Sequence, residues 1–189
     1  GEKRVVVIGS GATAMTLIPA IADDVAHVTM LQRSPTYVVS RPSRDAFANN
    51  LRRFLPDRLA YAITRKKNVF RQGLVYRKTR TQPEKIKKLL IGGVRAGLGP
   101  DYDVDTHFTP TYNPWDQRLC LIPDGDLFKA IRSGKASVVT DHIDTFTETG
   151  IRLQSGEELE ADIIVTATGL NLVTLGEMDF VVDGEPVDF

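Results

Sequence analysis

At 189 residues with 42% hydrophobic side chains, the chain can build one domain with a packed core, and its 24 basic and 24 acidic residues leave no net charge. The lone cysteine, Cys120, excludes an internal disulfide and any C-x-x-C redox or zinc pair, and reads as a small buried hydrophobe. No apolar run nears the roughly 20 residues that cross a bilayer; the opening Gly1-Glu2-Lys3-Arg4 leads into a strand rather than a signal peptide, so the expectation is a cytoplasmic protein.

The first element is a β-branched strand, Val5-Val6-Val7-Ile8, that enters Gly9-Ser10-Gly11-Ala12-Thr13-Ala14 and then a helix expected over residues 12–22, with Pro19 as a possible kink. A strand before G-x-G-x-x-A, a helix after it and a second strand at residues 28–31 read as a dinucleotide phosphate loop. Gly9 permits the tight turn, Gly11 admits backbone close to a pyrophosphate, and Ala14 lets the helix lie near the strand. The helix's free N–H groups then face the phosphates. The alternative is an ordinary strand-to-helix turn. Roughly 20 residues beyond the glycines, where an acid would bind the 2′-hydroxyl of NAD, stand Arg33 and Ser34. A cation and a hydroxyl suit a 2′-phosphate, so NADPH is the expected cofactor; the other reading is an exposed arginine at a strand end.

Residues 45–99 turn helical. Phe47, Leu51, Phe54 and Leu55 fall at helical spacing, Pro56 interrupts, Leu59, Ile63, Val69 and Phe70 suggest a second helix, and Pro83 opens a third that Gly92, Gly93, Gly97 and Gly99 should weaken. Residues 51–88 hold 13 Lys or Arg against two acids, whereas residues 101–189 hold five against 18. That basic face reads as a solvated surface, as a peripheral contact with anionic membrane, as a seat for an acidic partner domain, or as a nucleic-acid surface; no RNA-reading or helix-turn-helix signature supports the last.

The stretch 107–118, dense in prolines and aromatics, reads as a shaped loop in which His107 lacks any companion ligand at metal spacing. A strand is expected at 136–140, a hairpin over 144–154 turning at Thr149-Gly150, a turn at Ser155-Gly156, and a strand at 162–167 buried on both faces that runs into the small residues Ala167-Thr168-Gly169. Another turn is expected at Asp183-Gly184. The fold class is therefore α/β: a Rossmann-like dinucleotide-binding domain with a parallel sheet, a β-hairpin or meander and a helical insert.

Taken together, Gly9 to Ala14, Leu31-Gln32-Arg33-Ser34-Pro35, residues 107–120, residues 121–128 and Ala167-Thr168-Gly169-Leu170 resemble the middle of the class B flavoprotein monooxygenases of the Baeyer–Villiger type, in the ethionamide-activating branch. The resemblance covers nearly the whole chain. It implies an NADPH-binding domain (residues 1–44 and 100–176) interrupted by a helical insert (45–99), with 177–189 starting the return to an FAD domain that would be a separate part of the same parent. Such a piece would not turn over alone. In that family NADPH reduces FAD, and oxygen is then inserted beside a ketone carbonyl or added to sulfur or nitrogen of a small-molecule substrate. The resemblance assigns Gly9, Ser10, Gly11, Ala12, Thr13, Ala14, Arg33, Ser34, Thr168 and Gly169 to cofactor binding. It also makes Arg118 the catalytic cation beside the flavin. Gln117 stands where many relatives have a lysine that contacts phosphate, and Thr16 where a glutamine is common. Disulfide reductases conflict with the missing C-x-x-C, and short-chain dehydrogenases with the missing Tyr-x-x-x-Lys.

Overall fold

In the computed structural model, which describes residues 1–171, 176 and 178–187, β1 (Arg4–Ile8), α1 (Ala12–Ile21) and β2 (His27–Gln32) form the opening unit, followed by β3 (Tyr37–Arg41). Three helices come next: α2 (Ala46–Phe54), α3 (Asp57–Thr81) and α4 (Pro83–Leu98). A short α5 (Val104–Phe108), β4 (Leu119–Pro123), α6 (Asp126–Arg132) and β5 (Ala136–Thr140) lead back to the sheet. The remaining elements are β6 (Ile143–Phe146), β7 (Gly150–Leu153), β8 (Glu158–Glu160), β9 (Ile163–Thr166), β10 (Phe180–Val182) and β11 (Glu185–Val187).

The parallel sheet has the order β5-β2-β1-β9. Side chains alternate across β1, so Val5 and Val7 join one apolar cluster and Val6 the other. The first cluster is closed by α1 and α6 through Ala14, Met15, Ile18, Leu127 and Phe128. The second is closed by an antiparallel meander, β6-β7-β8, through Ile151 and Leu153. Helices thus cover one face and a small sheet the other. Burying a side chain such as Ile18 completely contributes about 1.5–3 kcal/mol.

The insert, α2 to α4, leaves after β3 and returns before β4, and those two strands pair with each other in parallel as a separate ribbon. Asp45 accepts from the Ala48 N–H at 3.1 Å to start α2. Pro83 starts α4, where a missing N–H costs nothing. Three expectations change. The glycines do not end α4 early, since it runs to Leu98 with Gly99 as its cap, and Gly97 is a packing position: a Cβ there would meet Phe128 Cδ2 at 2.5 Å. His107 lies in α5 rather than in the loop that follows. The strand at 162–167 is not buried on both faces, since β9 is the edge of the sheet and Ile163 is 46% exposed. Residues 172–175, 177 and 188–189, part of the expected return segment, lie outside the described residues.

At the crossover between β1 and β9 the two backbones come very close. Gly9 has φ +128°, and a Cβ on it would sit 2.4 Å from the Ala167 carbonyl oxygen. Gly9→Ala should therefore destabilise the fold by more than about 1 kcal/mol, because neither a strained φ nor a backbone clash can relax locally. Urea unfolding checks this; an unchanged midpoint would show that the crossover can open.

Candidate functional site

In an open parallel sheet, ligands collect outside the carboxyl ends of the strands, at the point where strand order reverses. Here that point lies between β1 and β9, and a cleft of about 560 Å³ opens there. Gly9, Ser10, Gly11, Ala12 and Thr13 form its floor, Arg33 and Ser34 one wall, Thr168 and Gly169 the opposite one, and Arg118 reaches in from the loop before β4. Ala14 is buried beneath the floor, where its small size lets α1 lie against the sheet. Gln117 is exposed and is not part of the cleft lining.

The floor is built for an anion. The first N–H groups of α1 have no acceptor within the helix, and its first intrahelical bond to this end runs from Met15 N–H to Gly11 O at 3.0 Å. Nothing lies within 4 Å of the place a Gly11 Cβ would occupy, so the space over this turn is open to a ligand. The helix dipole adds to the attraction.

The two arginines are held differently. Arg118 donates through Nε to Thr36 Oγ1 at 3.1 Å and through Nη2 to Ser10 Oγ at 3.2 Å. Ser10 and Thr36 are themselves buried and lie 3.3 Å apart, oxygen to oxygen. The loop carrying Arg118 is pinned from behind. Tyr37 OH donates to Tyr112 O at 2.6 Å, its ring meets Tyr112 edge-on at 5.3 Å, and Tyr112 OH donates to Arg118 O at 3.1 Å. Burial pushes the Tyr37 phenol up to about 12, so it stays a donor. Arg33 and Ser34, by contrast, make no side-chain hydrogen bond or ion pair with any described residue, and both are exposed at the cleft.

Several residues here were not legible as site residues. Asp141, His142 and Ile143 follow β5 and line the cleft beside Arg33. Asp141 accepts from the His142 and Ser155 backbone N–H groups at 2.6 and 3.2 Å; a hydrogen bond from the Ser155 side chain, followed by these backbone bonds, holds its carboxyl below the usual range. The only signal in the sequence was their place at the end of a parallel strand. Thr36, which holds Arg118, carried no signal at all. Behind this wall, buried Gln32 donates to His107 O at 2.7 Å and to Thr140 Oγ1 at 2.9 Å. Thr140 Oγ1 lies 2.9 Å from His107 Nδ1.

Over 187 residues, 98% of its length, the chain is 58% identical to the FAD-containing monooxygenase EthA of Mycobacterium tuberculosis. Over nearly its whole length this chain is homologous to FAD-containing monooxygenases. It spans 38% of that relative's length. Its fold superposes on a crystal structure of OTEMO with FAD bound at a TM-score of 0.67, covering 94% of this chain and 40% of that one at 18% identity. Oxidized steroid monooxygenase bound to NADP gives a TM-score of 0.63, covering 89% of this chain and 39% of that one at 17% identity. No family model matches the chain.

Burial pushes the His107 pKa down from 6.5, and the Asp103 carboxylate only partly opposes this. A depressed histidine makes the unfolded chain the better proton acceptor, so stability should be full above about pH 6.5 and fall as pH drops below it. Denaturant midpoints measured from pH 7.5 to 5 should decline in the unmodified chain and flatten in His107→Gln. An identical decline in that variant would place the titration elsewhere.

Proposed function

We propose that this chain is the NADPH-binding part of an FAD-dependent monooxygenase that oxygenates a small molecule at a ketone, sulfur or nitrogen centre. One observation carries the reading: the unpaired Arg33 and Ser34 stand in the same cleft as the free N–H groups of α1. A dinucleotide with an extra phosphate on its ribose has anionic groups for both. The division of the chain follows, with residues 1–44 and 100–176 as the nucleotide domain and 45–99 as its helical insert. The homology to FAD-containing enzymes supports it, as does the NADP bound to the steroid monooxygenase of similar fold.

In this reading the α1 N–H groups and the open backbone at Gly11 hold the pyrophosphate, Ser10 holds Arg118 from beneath, and Arg33 with Ser34 binds the 2′-phosphate. Thr168 and Gly169 approach the cofactor as bare backbone. FAD, on the remainder of the parent, supplies hydride acceptance and oxygen activation. Arg118 contributes a guanidinium that is charged at every working pH, fixed by two neutral hydroxyls, and opposed by no ion-pairing carboxylate among the described residues. Negative charge developing at the flavin would meet a cation already in position. The protein is cytoplasmic in this reading. The exposed Phe54, Phe70 and Leu89, set among the insert's cations, favour one further role, peripheral contact with an anionic membrane.

Calorimetry on this chain tests cofactor choice. Arg33→Ala should weaken NADPH about 10- to 150-fold, the value of one charge-assisted contact, and leave NADH unchanged. Equal affinity of the unmodified chain for both cofactors would overturn the assignment. Within the FAD-containing parent, Arg118→Ala should lower oxygenation by about 10²–10³ with NADPH affinity and thermal midpoint measured alongside. Oxygenation at the unmodified rate by the folded variant would remove Arg118 from the chemistry.

A further inference from the structure

A second cavity, of about 460 Å³, lies between the insert and the β3–β4 ribbon, and no part of the nucleotide cleft contributes to it. Its size falls within the roughly 300–1,000 Å³ of small-molecule sites. α3 and α4 form its roof, the ribbon its floor, and Pro114 and Trp115 close one end. The floor breaks the usual rule for a ribbon. On β4, Cys120 and Ile122 point into the core, so Leu119 and Leu121 face outward where polar side chains normally stand, and Leu121 is 58% exposed. Val39, Ile86 and Leu90 continue this apolar lining.

The polar lining is one-signed. Arg41 on β3 and Arg71 on α3 both border the cavity, no carboxylate lines it, and neither guanidinium makes a hydrogen bond or ion pair with any described residue. The other cations that pair locally, Lys67 and Arg80, have found Asp45 and Asp116. Thr79 does not compete for a ligand, because its hydroxyl donates to Val75 O at 2.7 Å. Trp115 has φ +72°, a left-handed conformation uncommon for a bulky residue, and its indole meets Tyr76 at 6.3 Å at the cavity wall.

We propose that this cavity is a separate binding site for an amphipathic organic anion, a medium-chain fatty carboxylate, whose alkyl chain lies on the Leu119 and Leu121 floor and whose head group meets Arg41 and Arg71. An apolar trough alone would take any hydrocarbon. Two unpaired guanidinium groups at its edge select the anion, since each carboxylate oxygen gains a charge-assisted partner that an alcohol cannot match. Because Trp115 belongs to the loop that ends at Arg118, the ligand would also bear on the position of the catalytic arm.

Trp115 is the single tryptophan of the chain and reports directly on the cavity. Sodium dodecanoate, kept below its micelle threshold, is titrated into this chain with dodecanol as the neutral comparison, and indole emission is read. The expected result is a saturable change for the acid with dodecanol at least about tenfold weaker. In Arg41→Gln/Arg71→Gln the acid should fall to the level of the alcohol. Circular dichroism checks that this variant folds; should it not, the acid-to-alcohol ratio on the unmodified chain decides alone. No saturable response, equal affinity for acid and alcohol, or full acid binding by the folded double variant would overturn the proposal. So would displacement of dodecanoate by NADPH, which would place it in the nucleotide cleft. A dimer in sedimentation that shows no response would equally overturn it, by giving the cavity to a second copy.

Discussion

The backbone of Gly9 lies so close to the Ala167 carbonyl that no side chain fits between them, and the cleft depends on that contact. It brings the turn after β1 and the turn after β9 to one edge of the sheet. Two hydrogen bonds fix the approach, from Gly9 N–H to Leu31 O and from Ala167 N–H to Ile8 O, both 2.8 Å. β1 is therefore tied to both neighbours at the level where the glycine turn begins. Its alternate side chains anchor two different layers, α1 on one face and the meander on the other. A ligand in the cleft meets a frame that has little freedom to rearrange.

Within that frame the two arginines are prepared for different tasks. Arg118 is oriented by buried Ser10 and Thr36, neutral groups that fix its direction without cancelling its charge. A carboxylate in their place would have held it as firmly and reduced its field. Arg33 has no such support and keeps all five donors for a ligand. In the proposed function Arg118 serves as a positioned electrostatic device and Arg33 as a recognition group.

The segregation of charge along the chain has a tertiary counterpart only in part. Arg80 meets Asp116 at 2.5 Å and Arg95 meets Asp105 at 2.6 Å, so cations of the insert reach acids of the later segment. Of the 13 cations in residues 51–88, however, only Lys67 and Arg80 form ion pairs among the described residues. Exposed pairs of this kind contribute about 0–1 kcal/mol each, which is enough to orient the insert and too little to hold it. Its seating comes from burial instead, with Val94 and Leu98 of α4 in the core and Gly97 against Phe128.

What the sequence by itself determined is whatever depends on neighbours a few residues away. The β-branched run, the glycine turn, α1 and β2 were legible because period, turn chemistry and helix start all lie within some 30 residues of each other. The helices of the insert were legible from the same spacing, and Arg33 and Ser34 from the absence of an acid at a fixed offset. The tertiary structure decided everything set by partners far along the chain. It made β9 an edge, so an apolar strand is half open. It turned Gly97 from a helix breaker into a contact, and it put Asp141 and His142 on the cleft wall by pairing β5 with β2 across more than 100 residues. Thr36 is the sharpest case. Its hydroxyl matters only because the fold carries Arg118 to it over 82 positions, and no local pattern records a partner at that distance.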